Sequence, residues 1–177
     1  MPTFARLTLA IIGFSVMLSA PILCSADDDP FELKQPTVVQ IQKRKNIQVA
    51  YDVKDDVLDA GIGKALYYVR GLLESYKSMG VLPAQLHISV VVHGSAAHWL
   101  LQEGAYQQNE NDPFAYNPNT QVVQELLDHG VSVEICHSTM KSKGWTADEI
   151  LPGVIIVHDA YTRLIDLQQR GYAYIRF

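Results

Sequence analysis

Cys136 is the residue of this sequence best suited to covalent chemistry. It follows the strand-like segment 131–135 (VSVEI) and precedes His137 and Ser138, which begin a helix-like segment. A thiolate at the start of a helix is stabilised by the helix dipole and by the free N–H groups there, and the nearby Lys141 acts in the same direction. We therefore expect a thiol that can attack an electrophile or carry a sulfane sulfur as a persulfide.

A structural role for Cys136 is the alternative. Free cysteine is among the most buried residue types, and a small thiol at the end of a strand can be inert. The other cysteine of the chain, Cys24, lies close to its N-terminus. If that part is removed on export, the leftover cysteine is buried, paired with another chain or reactive. The residues alone leave these roles open.

Polar side chains recur where predicted strands end. His93 and Gly94 follow segment 86–92, and His158 follows segment 154–157. In open parallel sheets, ligands bind outside the carboxyl ends of the strands, so we predict a site at this edge. The predicted catalytic residues are Cys136 as the nucleophile, His93 as a proton shuttle, and His137. The predicted ligand-binding residues are Gly94, Ser138, Thr139, His158 and Tyr106.

The histidines near these strand ends also raise the question of a metal site. Imidazoles together with a thiolate suit zinc or copper. However, His93, His98, His137 and His158 come from separate segments and lack the short spacing of a metal motif. The glycines of segment 61–64 (GIGK) lie inside a helical pattern and not at a strand end, so they do not form a phosphate loop. We predict no metal and no cofactor.

Hydrophobic periodicity predicts alternating strands and helices. Segment 86–92 (LHISVVV) is almost entirely apolar or β-branched, as expected of a strand buried on both faces of a parallel sheet. Apolar residues from Leu58 to Tyr76 recur at helical spacing. The other predicted strands are 46–53, 131–136, 154–157 and 172–177, with further helices over 95–102, from Thr120 to before Gly130, over 138–143 and around 161–168. This alternation predicts βαβ units, a parallel sheet and helices on both of its faces.

A long polar segment, 104–119, interrupts this pattern. It is rich in Asn, Gln and Pro, with Tyr106, Phe114 and Tyr116 embedded in it. A loop of this length inside a compact domain is usually functional or mobile, and such loops often carry recognition. The segment favours an alternative function for the chain, namely a non-catalytic module that binds a small ligand or a protein.

The first 26 residues have the pattern of a cleaved secretory signal peptide. Arg6 supplies a positive charge, 7–18 form an apolar run, and 24–26 (CSA) place small residues before the acidic residues 27–29. The apolar run is shorter than the ~20 residues of a membrane-spanning helix. We predict a signal peptide at 1–26, an N-terminal arm at 27–45, one domain at 46–177, and a periplasmic or secreted bacterial protein.

The charge of the chain excludes several partners. The 177 residues carry a net charge of −5, and removing 26 residues with Arg6 leaves 151 residues and a charge of −6. That length is typical of a single domain. A mildly acidic chain with one short basic cluster, 43–45 (KRK), is a poor candidate for nucleic-acid or anionic-membrane binding. We therefore expect no nucleic acid partner and no stable membrane insertion.

The second half of the chain contains three distinctive segments, 130–145 (GVSVEICHSTMKSKGW), 148–157 (DEILPGVIIV) and 167–177 (LQQRGYAYIRF). In this order and spacing, and together with 90–101 (VVVHGSAAHWLL), they resemble the DsrE/DsrF-like family. The resemblance covers most of residues 46–177. It implies a three-layer α/β/α sandwich of flavodoxin-like architecture, with a mainly parallel five-stranded sheet.

The same resemblance carries expectations about function. It implies assembly into oligomers, often trimers or hexamers, and in some members a sulfur relay in which a cysteine carries a persulfide. Cys136 occupies the cysteine position of the exported, single-domain branch of the family. The resemblance therefore implies a sulfur carrier or sulfurtransferase-like protein, with a sulfur-donor or sulfur-acceptor protein as its partner.

Overall fold

The strands and helices alternate along the chain. The computed structural model describes residues 38–177, so the predicted signal peptide (1–26) and most of the predicted arm (27–45) lie outside the described residues. Gln40–Phe177 form one compact unit. Its strands are β1 (Ile47–Val53), β2 (Leu58–Asp59), β3 (Ile62–Gly63), β4 (Leu86–Val92), β5 (Ser132–Cys136), β6 (Ile155–Val157) and β7 (Ala173–Arg176). Its α-helices are α1 (Lys64–Ser78), α2 (Glu103–Glu110), α3 (Thr120–Asp128), α4 (His137–Lys143) and α5 (Ala160–Gln169), with 3-10 segments at Pro83–Gln85, Gly94–Leu100 and Ala147–Glu149.

Five of the strands form one sheet in the order β6-β5-β4-β1-β7. Every neighbouring pair in it is parallel, which confirms the predicted mainly parallel sheet. The register sets Val53 beside Val92, and Val92 beside Ile135. The chain moves outward from β1 through β4 and β5 to β6, and then returns to add β7 on the other side of β1. The strand order therefore reverses at β1.

Side chains that alternate along each strand divide the core into two clusters on opposite faces of the sheet. Val90 and Val92 belong to the larger cluster, which packs with buried residues of α1 and α3. Val91 and Cys136 belong to the smaller cluster, beneath Leu164 and its neighbours on α5. Helices thus cover both faces, which confirms the three-layer α/β/α sandwich.

The predicted helix from Leu58 to Tyr76 begins six residues later than the spacing indicates, at Lys64. Residues 58–63 form instead the small antiparallel hairpin of β2 and β3. Tertiary contacts favour the hairpin, because the Gly63 N–H donates to Asn119 Oδ1 at 2.6 Å. A β-carbon added at Gly63 would lie 2.6 Å from the Trp99 ring, so the chain passes this ring where only glycine fits.

The predicted loop 104–119 is helical in its first half. Helix α2 spans Glu103–Glu110 and ends at Asn111, whose φ of 52° is left-handed. Asn tolerates that conformation better than most residues, so it terminates the helix. The remaining loop is fixed by Asn117, whose Nδ2 donates to the backbone oxygens of Trp99 and Leu101 at 2.9 and 2.8 Å. Asn111 and Asn117 of the segment 104–119 therefore have structural roles.

Within residues 38–177, none of the helices combines the length and apolar character that crossing a membrane requires.

Candidate functional site

Three residues with chemistry-bearing side chains come from neighbouring strands at the carboxyl edge of the sheet. Cys136 ends β5, His93 follows β4, and Asp52 is the penultimate residue of β1. Alternation places all three on the face that α5 covers, because His93 is two residues after Val91 and Asp52 is two after Ala50. Two of the predicted catalytic residues, Cys136 and His93, therefore share one face and adjacent strands.

Asp52 and His93 are both buried, and a hydrogen bond between them fixes the His93 ring. The Asp52 residue is 5% exposed and His93 is 6% exposed. His93 Nε2 lies 2.7 Å from Asp52 Oδ1. An ionised carboxylate only accepts hydrogen bonds, so this contact assigns the ring proton to Nε2. Nδ1 is then the ring nitrogen that can accept a proton from another group. The His93 ring also meets the edge of Tyr161, with the ring centroids 5.3 Å apart.

The second oxygen of Asp52 is bound by the last strand. The Tyr174 hydroxyl donates to Asp52 Oδ2 at 2.5 Å. This hydrogen bond is the main reason that the pKa of Tyr174 lies above its usual value, with burial as the next cause. Arg176 Nε lies 4.0 Å from the same oxygen. Tyr174 therefore acts as a hydrogen-bond donor that satisfies the buried carboxylate.

Cys136 itself lies in apolar surroundings. It is 3% exposed and packs in the smaller core cluster with Ala50, Val91 and the α5 residues Leu164 and Leu167. The helix that follows it, α4, has only seven residues. A thiol in such a place is shielded from solvent, and reagents reach it only when α5 or its neighbours move.

The other predicted residues after β5 connect the strand ends rather than surround the sulfur. The Gly94 N–H donates to Thr139 Oγ1 at 3.3 Å. The Ser138 hydroxyl donates to the backbone oxygen of His158, also at 3.3 Å. His137 and His158 are exposed. These contacts link the segments that follow β4, β5 and β6.

Gly94 is required by close packing at this edge. Its φ is +60°, and a β-carbon there would lie 2.9 Å from Lys54 Cγ and 3.0 Å from the Lys54 backbone oxygen. Glycine adopts this conformation without steric cost and leaves room for the neighbouring strand end. Gly94 thus sets how closely the segments after β1 and β4 approach each other.

Tyr106 lies away from these residues. It packs against the larger core cluster, on the face opposite Cys136. Its ring centroid is 5.8 Å from that of His98, and burial is the main cause that raises its pKa. The structure therefore gives Tyr106, a residue of α2, a packing role and does not bring it to the strand-end site.

The histidines do not converge. Among residues 38–177, no three His, Cys, Asp or Glu side chains are placed so that they could hold one metal ion. His98 instead places Nδ1 2.7 Å from the Ser95 backbone oxygen, and its Nε2 lies 3.7 Å from Asp56. His98 is therefore engaged by its own surroundings.

The predicted site residues do not include Asp52, Tyr174 or Arg176. A signal was present for Asp52, because it is a charged residue inside the apolar run of β1. Buried carboxylates are rare unless they are paired, so Asp52 is expected to have a hydrogen-bonding or ionic partner. Tyr174 and Arg176 could not be assigned, because pairing of β7 with β1 is a property of the strand order.

A second buried carboxylate fixes the helix above the site. Glu134 is fully buried, and Arg163 on α5 binds it through two nitrogens at 2.7 and 2.9 Å. The Ser132 hydroxyl donates to Glu134 Oε1 at 2.9 Å. The hydrogen bond to Glu134 is the main cause that raises the pKa of Arg163. This bidentate pair anchors α5 to β5, and so it holds the cover over Cys136.

Comparison with known proteins agrees with this architecture. Solved structures with the same fold include the protein of unknown function MTH1491 from Methanobacterium thermoautotrophicum, which is 22% identical, with 74% of this chain and 99% of that chain covered and a TM-score of 0.58. The ychN protein from E. coli is 14% identical over 74% of this chain and 99% of its own, with a TM-score of 0.51. No curated protein matches the sequence.

The sequence also matches a family model. The model describes the DsrE/DsrF-like family, and the match extends over residues 59–177, which include β4 to β7, Cys136 and His93. Together with the five-stranded parallel sheet, this match agrees with the resemblance carried by segments 130–145, 148–157 and 167–177. The chain therefore belongs to the DsrE/DsrF-like family.

Proposed function

We propose that this protein is a sulfur carrier, in which Cys136 holds a sulfane sulfur as a persulfide and His93 exchanges the proton of the thiol. One observation carries the proposal. Cys136, His93 and Asp52 come from consecutive strands, lie on one face of the sheet, and include an imidazole that Asp52 orients at 2.7 Å. A thiol, a base and an orienting carboxylate are the elements of an activated nucleophile.

The chemistry needs no group other than a sulfane donor and an acceptor thiol. With thiosulfate as donor, the Cys136 thiolate attacks the outer sulfur, the S–S bond to the sulfite sulfur breaks, and sulfite leaves with the electron pair. In the second step an acceptor thiolate attacks the outer sulfur of the persulfide, and Cys136 leaves as a thiolate. His93 accepts the proton of the Cys136 thiol in the first step and returns it at the end.

The burial of Cys136 has a consequence for such a carrier. A persulfide beneath Leu164 and Leu167 is shielded from soluble thiols that would otherwise remove its sulfur. Loading and unloading then require that α5 move, so transfer is fastest with partners that engage this part of the surface. The same burial makes transfer slow with small donors.

Intact mass after incubation with thiosulfate tests the proposal. We expect wild-type protein to gain the mass of one sulfur atom, Cys136→Ser to gain none, and His93→Gln to gain it more slowly by roughly tenfold or more. His87→Gln is the matched control, because His87 is an exposed histidine at the start of β4. An adduct of equal size on Cys136→Ser, or none on wild type, rejects the persulfide.

We propose further that the chain is exported. The support is the pattern of residues 1–26, with Arg6, the apolar run and the small residues before 27–29. The same intact-mass measurement on protein recovered from the periplasm or the medium shows whether the N-terminal segment has been removed. A mass that lacks residues 1–26 is the expected result, and a full-length mass in the cytosolic fraction alone contradicts export.

A second function is favoured by the loop after α2. Phe114 is 91% exposed and Tyr116 is 72% exposed, although both are large and partly apolar side chains. Exposed aromatic residues are enriched at protein interfaces. Under this second function the protein is a non-catalytic binding module, wild-type protein gains no sulfur, and recognition of a partner depends on Phe114 and Tyr116 rather than on Cys136.

A further inference from the structure

A cleft opens at the carboxyl edge of the sheet, between the ends of β1 and β7 and helix α5. Its volume is about 290 Å³, and Asp52 and His93 lie among its lining residues. It lies where the strand order reverses, since β4 lies on one side of β1 and β7 on the other. In open α/β sheets this reversal is where ligands bind, because the connecting segments diverge and leave a crevice.

The charges around the cleft favour an anion. Of the described residues that line it, Lys54 and Arg176 are cations and Asp52 is the carboxylate. Asp52 is already engaged by His93 at 2.7 Å and by Tyr174 at 2.5 Å. Arg176 approaches it only to 4.0 Å, and Lys54 forms no salt bridge with any residue of 38–177. The cleft is thus locally positive on a chain whose net charge is −5.

The opposite wall of the cleft is apolar and belongs to α5. Tyr161 is 58% exposed and Ile165 is 54% exposed, and both line the cleft together with the buried Leu164. Large side chains exposed beside a concave surface are typical of binding sites, where they contact the apolar part of a ligand. Gln168 adds an amide that can bind a polar substituent.

We propose that this cleft binds a small organic anion. The anionic group lies between Lys54 and Arg176, and the apolar body lies against Tyr161 and Ile165. The cleft volume of about 290 Å³ equals that of roughly ten water molecules at about 30 Å³ each, which leaves room for a ligand the size of benzoate. The site requires no reaction at Cys136, so it stands apart from the persulfide.

Titration calorimetry with benzoate tests the proposal, with benzyl alcohol and sulfate as comparison ligands and no sulfur donor present. We expect benzoate to bind, and benzyl alcohol and sulfate to bind more weakly by roughly tenfold or more. Benzyl alcohol lacks the negative charge, and sulfate lacks the apolar body. Arg176→Gln is expected to weaken benzoate binding by roughly tenfold, because a charge-assisted hydrogen bond is lost.

Lys143→Gln is the matched control. It removes one positive charge from an exposed residue of α4 that does not line the cleft. It should leave benzoate binding unchanged. The proposal is overturned if wild type binds no benzoate at millimolar concentration, if benzyl alcohol or sulfate binds equally well, or if Lys143→Gln weakens binding as much as Arg176→Gln. Circular dichroism of both variants confirms that they are folded.

Discussion

Asp52 is the residue that connects the parts of the candidate site. Burying a carboxylate costs several kcal/mol unless its oxygens are bound. Here His93, which follows β4, binds one oxygen, and Tyr174 on β7 binds the other, so both oxygens of the buried carboxylate have hydrogen-bond partners. The same two contacts fix the imidazole and the last strand relative to each other. One buried charge therefore organises the groups that line the cleft.

The buried phenol of Tyr51 makes the stability of the protein depend on pH. It is 3% exposed, and burial, followed by the proximity of Tyr76, raises its pKa from 10.0 to about 12. The folded state therefore binds the phenolic proton more tightly than the unfolded state. The corresponding stability is complete below pH 10 and is lost as pH rises toward 12, with a loss on the order of 1 kcal/mol at pH 11.

We expect Tyr51→Phe to lose less stability than wild type between pH 8 and pH 11, as measured by the midpoint of urea unfolding. Tyr116→Phe is the control, because Tyr116 is 72% exposed and its phenol stays in water in both states. Identical losses in wild type and Tyr51→Phe would show that this phenol is not the group responsible.

Part of the site could be predicted at the residue scale. Cys136 and His93 were identified because each ends a strand of clear apolar pattern, and parallel strands end at the same edge. Their common face also follows from alternation. Tyr106 is a predicted ligand-binding residue because its segment is polar and aromatic, and the structure places it beside His98 on the other face of the sheet.

At the scale of elements, the periodicity of apolar residues predicted every strand of the main sheet. Strands such as β4 and β5 are short, mostly buried segments rich in apolar and β-branched residues, and no competing pattern fits them. The helix predicted over residues 58–63 is wrong, because Leu58 and Ile62 happen to continue the apolar spacing of α1 although they belong to β2 and β3. Contacts with Asn119 and Trp99, which are distant in sequence, decide that region instead.

The loop after α2 yields a stability prediction. Asn117 is 4% exposed, and its side chain makes three hydrogen bonds, two from Nδ2 to backbone oxygens and one from the Asn119 N–H to Oδ1. Asn117→Ala leaves these buried groups without partners, at a cost of about 2–4 kcal/mol of unfolding free energy.

Asn109→Ala is the matched control for this change. Asn109 is exposed on α2, and among residues 38–177 its amide hydrogen-bonds only with the side chain of Glu110. Its removal should change the free energy of unfolding by less than about 0.5 kcal/mol. Chemical denaturation of both variants measures the difference, and equal effects would mean that the Asn117 contacts do not anchor the loop.

At the scale of the whole molecule, the order of the strands was beyond the reach of the sequence. Each βαβ unit predicts a parallel neighbour, but nothing local states that β7 returns to the far side of β1. That return brings Tyr174 and Arg176 to Asp52 and creates the cleft. The alternation of elements therefore predicted the layers, whereas the cleft depends on topology.

The two edges of the sheet bear on assembly. Ile156 on β6 is 39% exposed and Ile175 on β7 is 38% exposed. Edge strands with apolar residues usually pair or are covered. We propose that copies of the chain associate through one of these edges into a trimer or hexamer, and sedimentation velocity measures the mass of the assembly.

Ile156→Lys or Ile175→Lys is expected to shift the assembly toward a smaller species, because a lysine at an edge opposes pairing. Leu82→Lys, at a residue 66% exposed in the segment before Pro83–Gln85, should not. A monomer for wild-type protein, or equal dissociation by the Leu82 variant, contradicts assembly through the sheet edges.

The position of Cys136 beneath α5 makes its thiol a reporter of local unfolding. The helix is held by the Glu134–Arg163 pair and by Leu164 and Leu167, so an alkylating reagent reacts only with molecules in which these contacts have opened. The labelling rate of the folded protein then measures the free energy of that opening. Its dependence on urea measures the surface exposed, which distinguishes a local movement of α5 from global unfolding.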